Sequence, residues 1–178
     1  STPKRWLALH SLIHVGIPKD HPFARDCIND LNLAMTTAKS QTYSAGILAM
    51  LLADLHDPNE CDLRKPLQEL ADAIAGGQYK SGSWGYGTQI VREDTDGPGD
   101  DNNSTLQYAL LGLQAASRCG AKVPAEVWQK AGRFLLKDQL PRTNPKHQSP
   151  SPAGWGYGHT YVVRSGVFKL EIPYGSMT

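Results

Sequence analysis

Apolar positions recur along this chain with the spacing of helices over three stretches. Trp6-Leu-Ala-Leu-His-Ser-Leu-Ile-His-Val15 reads as a helix closed by Gly16 and Pro18, with Pro22 to Ala38 as its partner. An apolar run at Ile47–Ala53 is followed by an amphipathic stretch from Asp62 to Gln78. Another at Tyr108–Ala115 is followed by one from Pro124 to Gln139. The connectors Gly16-Ile-Pro18, His56-Asp-Pro58 and Gly120 to Pro124 carry helix-stop residues. The pattern predicts three helix pairs, over about 5–38, 42–79 and 103–140. The first helix of a pair is apolar nearly all round, so protein should surround it. The second is amphipathic: Val127, Ala131, Phe134 and Leu135 form a stripe, and Glu126, Lys130, Arg133 and Lys137 face water. First helices should therefore form an inner layer and second helices an outer one.

The pairs are joined by a repeated box. Gly82-Ser-Trp84-Gly-Tyr86-Gly87 returns as Gly154-Trp155-Gly-Tyr157-Gly158, and a glutamine, Gln78 or Gln139, precedes each copy. The segment from Thr42 to Leu51 likewise parallels that from Asn103 to Gly112. Two insertions, 88–102 and 141–173, interrupt the pairs. In the second, Phe168, Leu170 and Ile172 alternate with Lys169 and Glu171, predicting a β-hairpin near 160–172 that turns at Ser165-Gly166. Tyr174 to Thr178 resembles the entry to another inner helix, so a longer natural polypeptide, or pairing with a second chain, is expected.

Composition narrows the function. The 178 residues carry 18 Lys+Arg against 17 Asp+Glu, which lacks the basic excess of a protein that binds nucleic acid by neutralising phosphates. No apolar run approaches the length of a membrane span. The N-terminus shows neither a signal peptide nor an initiator Met, as expected if the start has been processed or trimmed. Cys27, Cys61 and Cys119 stand apart without a C-x-x-C pair, which gives a thiolate zinc site little support and leaves the compartment open.

Lys130-Ala131, Phe134-Leu135 and Gln139, with Trp155 following late, resemble the QW motif of the terpenoid cyclase and protein prenyltransferase superfamily, in its squalene–hopene cyclase-like branch. Ile74, Gln78, Gly82 and Trp84 match it less fully. The resemblance implies an all-α fold, an α/α-toroid of which this chain would supply about half. It implies structural roles for Gln78, Trp84, Gln139 and Trp155: the amide stacks on an indole and bonds to backbone at the ends of a neighbouring helix. Cyclases of the family protonate an alkene with an Asp-x-Asp-Asp motif before an inner helix. Here the matching positions read Asn102-Asn-Ser-Thr105 and Gln41-Thr-Tyr-Ser44, none a strong acid. Asp100 and Asp101, one step upstream, are the remaining catalytic candidates. No cysteine stands at an inner-helix entry, as the zinc of the prenyltransferases would require, and the thioester motif of complement-like toroids is absent. No cofactor is predicted. The expected function is a ligand-binding or scaffold module; the alternative is an isoprenoid cyclase whose acid lies outside this segment.

Three further groups invite chemistry. The acidic run Glu93–Asp101, with Asp94 and Asp96, offers hard oxygen ligands for calcium, but Pro98 breaks EF-hand spacing, and helix capping is the better account of the run. His10 and His14, four apart, share a helix face and could bind zinc with a third ligand that the sequence does not identify, although His21 is near. Tyr43, Tyr86, Tyr108 and Tyr157 are placed to line the mouth of a cavity, where they suit an apolar or carbohydrate ligand, or to close repeat interfaces. An apolar or polymeric ligand at the cavity rim is the partner they imply.

Overall fold

Proline and short polar residues set where the helices begin. Pro3 opens α1 (Pro3–His14) and Pro22 opens α2 (Pro22–Asn29), each at a first-turn position where the missing N–H costs nothing. The computed structural model describes residues 2–88 and 102–138, and the backbone of four short strands between 155 and 177. Among the described residues the body is all-α, with five more helices: α3 (Leu31–Ala38), α4 (Thr42–Leu55), α5 (Arg64–Gly76), α6 (Asn103–Arg118) and α7 (Ala125–Asp138). Asn102 caps α6 through a reciprocal box: its Oδ1 accepts from the Thr105 N–H at 2.9 Å, and its own N–H donates to Thr105 Oγ1 at 3.3 Å. Gly16 and Gly120 follow helix ends with φ of 99° and 95°, a conformation that favours glycine.

The stretch from Pro22 to Ala38 is two helices rather than one. Asp30 ends α2 and begins α3 with φ −90° and ψ 14°, outside the helical basin. Asn29 and Asp30 are weak helix formers, because their side chains compete for nearby backbone groups.

α4 is the centre of the fold. It packs against α1, α3, α5 and α6, and ten of its fourteen residues are buried, which matches a helix without a wide polar face. Leu48, Leu51 and Leu52 are fully enclosed, each worth about 1.5–3 kcal/mol of apolar transfer. α6 buries a face of seven residues, including Leu106, Ala109, Leu113 and Ala116. α1 buries only Trp6 and Leu9. The expectation that first helices are enclosed thus fails for α1, which meets α4 on one side and leaves Leu7 and Leu12 partly exposed.

α4 and α6 approach closely because glycines meet at the crossing. A Cβ on Gly112 would stand 2.6 Å from the Gly46 Cα, and a Cβ on Gly46 would strike the Tyr108 carbonyl. Neither glycine needs an unusual φ; each is required for space.

Beyond the helices, β1 (Trp155–Gly156) pairs antiparallel with β4 (Ser176–Met177), and β2 (Tyr161–Ser165) with β3 (Phe168–Ile172). The β2–β3 pairing falls on the segment where alternation predicts a hairpin. Its register runs from Tyr161↔Ile172 to Ser165↔Phe168, so Ser165 is the last paired residue of a strand and not part of the turn.

Candidate functional site

The Trp-Gly-Tyr-Gly box is held between the starts of two helices. After α5 the chain turns at Gly77, where an added Cβ would meet the Thr88 Cα at 2.9 Å. It loops through Gly82 at φ 101° and returns antiparallel to itself, with Gln78 bridged to Trp84. The Trp84 indole is fully buried, and its Nε1–H donates to the Ile74 carbonyl at 2.6 Å. That carbonyl, in the last turn of α5, is one that a helix end leaves without its usual partner, and it also accepts from the Gly77 N–H at 3.1 Å.

Gln78 reaches the next helix. Its Nε2 donates to the Gly82 carbonyl at 3.1 Å and to the Val127 carbonyl, in the first turn of α7, at 2.9 Å. Gly82 presses on the Lys130 carbonyl of α7 so closely that no Cβ fits. Gln68 of α5 ties instead to the α6–α7 connection: its Oε1 accepts from the Lys122 N–H at 2.7 Å and its Nε2 donates to the Lys122 carbonyl at 3.0 Å. Gln78 is thus the link to the following helix, and the indole nitrogen serves its own helix end. Gln139 lies outside the described residues, and Trp155 is described only as a strand backbone paired with Met177.

Three consecutive carbonyls of the box accept hydrogen bonds from residues at the starts of α4 and α6. The Trp84 carbonyl accepts from the Thr105 hydroxyl at the start of α6. The Gly85 carbonyl accepts from the Thr42 hydroxyl at 2.7 Å, and the Tyr86 carbonyl from the Thr42 N–H at 2.8 Å. Gln41 and Gly87 form a further bridge, and the Thr88 hydroxyl donates to the Lys39 carbonyl. Thr42 and Thr105 are both fully buried. The entries therefore contain hydroxyls and amides, and residues 41–44 and 102–105 supply no carboxyl. Asp94, Asp96, Asp100 and Asp101 lie outside the described residues.

Beside these entries Tyr43, Tyr86 and Tyr108 cluster. The rings of Tyr43 and Tyr86 stack with centroids 5.9 Å apart, and those of Tyr43 and Tyr108 meet at 5.0 Å with planes inclined by 52°. Tyr43 and Tyr108 are half-buried, while Tyr86 is 49% exposed. Tyr157 lies outside the described residues. The tyrosines form an aromatic surface patch and line neither of two hollows elsewhere in the molecule. One hollow, of about 180 Å³, lies between α1 and α2 and touches Trp6, Leu12, Phe23 and Cys27. The other, a groove of about 620 Å³, runs from α2 to the α4–α5 connection past Arg25, Asp57 and Glu60.

Local charges have local explanations. Burial, reinforced by Asp30, pushes the Cys27 thiol up to about 11, so it stays protonated and inert at neutral pH. Burial likewise raises Cys61 and Cys119. Hydrogen bonds from Arg64 hold Asp62 well below the usual carboxylate range, and the N–H groups of Asn59 and Glu60 lower Asp57.

Far from the tyrosines, the structure supplies the third residue that the histidine pair lacked in sequence. Asp54 Oδ2 lies 2.6 Å from His10 Nδ1 and 3.2 Å from His14 Nε2. The imidazoles meet edge-on, with centroids 4.6 Å apart. His21 is not part of the group; it caps α2, its Nδ1 accepting from the Phe23 N–H at 3.3 Å. Asp54 was missed because 44 positions separate it from His10. Its one signal in sequence is that it is the sole charged residue on α4.

Protein-family models, curated proteins and solved structures contain no match to this chain.

Proposed function

We propose that the chain is a squalene-cyclase-like helical-repeat domain, part of an α/α-toroid, that binds an apolar ligand without transforming it. The observation that carries this reading is the content of the inner-helix entries. Protonating an alkene needs a carboxylic acid held in a dry pocket. At these entries the Thr42 hydroxyl donates to the Gly85 carbonyl of the box, and the Thr105 hydroxyl reaches both the Trp84 carbonyl and the Asn102 carbonyl. The tyrosine patch beside them offers flat apolar area that is already ordered by ring–ring contact, so little side-chain entropy is lost on binding. Enclosure of α4 by α1, α3, α5 and α6 supports a layered arrangement of helix pairs. The remaining part of such a ring, or a second chain, would be its structural partner.

Titration with a dye-labelled farnesyl chain tests the ligand class. Saturable binding is expected, weakened about tenfold by Tyr86→Ala or Tyr108→Ala, the loss of about 1.4 kcal/mol of contact. Absence of saturable binding, or unchanged affinity in both folded variants, would refute the assignment.

A further inference from the structure

We propose that His10, His14 and Asp54 form a three-ligand site for a divalent transition-metal ion, zinc by preference, that ties α1 to α4 and leaves its outward position to water. The site is independent of the tyrosine patch. It lies at the opposite end of α4, since Asp54 is eleven residues beyond Tyr43, or about 17 Å along the axis.

The donor set comes first. Two imidazole nitrogens and a carboxylate oxygen make a borderline N₂O set, which suits zinc and neighbouring first-row ions and gives calcium or magnesium too few oxygens. The His10 Nδ1, His14 Nε2 and Asp54 carboxylate atoms all lie within 4.8 Å of one another. Bonds of about 2.0–2.2 Å in a tetrahedron set ligand atoms roughly 3.3–3.5 Å apart. The 3.2 Å separation of His14 from Asp54 is already close to that edge, and the 2.6 Å separation of His10 from Asp54 must widen slightly.

The surroundings favour a cation. Asp54 is the only charged group on an otherwise apolar helix, and its side chain is 22% exposed. Among the described residues no lysine or arginine pairs with it; both nitrogens converge on the same oxygen. His14 is the last residue of α1 and Asp54 the penultimate residue of α4, so the partial negative charge at both helix ends also points to this spot. His10 is mostly covered, at 21% exposure, whereas His14 is 61% exposed. The inner ligands are thus fixed by packing, and the open side through His14 admits the ion and a fourth, water ligand. Cys119, whose Sγ lies 3.8 Å from the Ala53 carbonyl, is near but outside the donor group.

The test uses the untagged 178-residue chain after chelator treatment and dialysis. Calorimetric titration with zinc chloride should give one equivalent bound. A zinc excess of about a hundredfold over Kd should raise Tm by about 5–10 °C. Cobalt(II) in place of zinc should develop the visible bands of a tetrahedral site. His14→Ala removes a largely exposed ring, so its metal-free Tm should match the parent while zinc affinity falls at least about tenfold. Asp54→Asn should reduce affinity as strongly, and Cys119→Ser and His21→Ala should leave it unchanged. Absence of saturable zinc binding by the parent would overturn the proposal. So would parental affinity in a folded His14→Ala variant, or loss of binding on Cys119→Ser.

Discussion

Trp84 shows how one residue of the box acts on stability. Its ring fills a fully enclosed site, and its N–H takes a carbonyl at the end of α5. Trp84→Ala should cost about 3–5 kcal/mol, seen as a fall in Tm of about 10 °C for a domain of this size. Trp84→Phe should cost less, because the Gly77 N–H also reaches Ile74 O and the carbonyl is not orphaned. Thermal melts followed by circular dichroism separate the two; equal melting of Trp84→Ala and the parent would remove the indole from the core account. At this scale the repeated box drew attention to Gln78, which reaches the Val127 carbonyl of α7, and to Trp84, which bonds within its own α5 end. The sequence was silent where partners are distant. Asp54 is an ordinary acid until folding carries it to His10 and His14, and no local pattern marks Thr42 and Thr105 as donors to the box.

Between elements, the α4–α6 crossing is the most confined contact. Gly46→Ala and Gly112→Ala each place a methyl against backbone, which cannot rotate away, and should destabilise by about 1–3 kcal/mol. Gly132→Ala in α7 meets nothing within 4 Å and should be neutral or stabilising by up to about 1 kcal/mol, because alanine is the better helix former. Urea unfolding of the three variants checks the contrast, and a common sign for all three would contradict it. Helix extents followed from apolar period and stop residues, since both act within a few positions of the chain. The break at Asp30 was not legible in the same way, because the apolar period runs through it. The two crossing glycines read only as poor helix formers until the neighbouring helix is in place.

For the whole molecule, the central claim is that the starts of α4 and α6 are closed by hydroxyl-to-carbonyl bonds and, among the described residues, carry no carboxylic acid. Asp100 and Asp101 lie outside the described residues, and solution chemistry tests them directly. The helical class was legible because apolar period and helix polarity are local: α4 is apolar around its circumference, while α7 has one apolar stripe. The exposure of α1 was not, because enclosure depends on what stands beside a helix as well as on its composition. The most direct measurement is incubation of the 178-residue chain with detergent-solubilised squalene, followed by chromatographic analysis for cyclic triterpenes. The account predicts squalene recovered unchanged. A cyclic product whose formation is lost in Asp100→Asn or Asp101→Asn would contradict it and assign the acid to that residue.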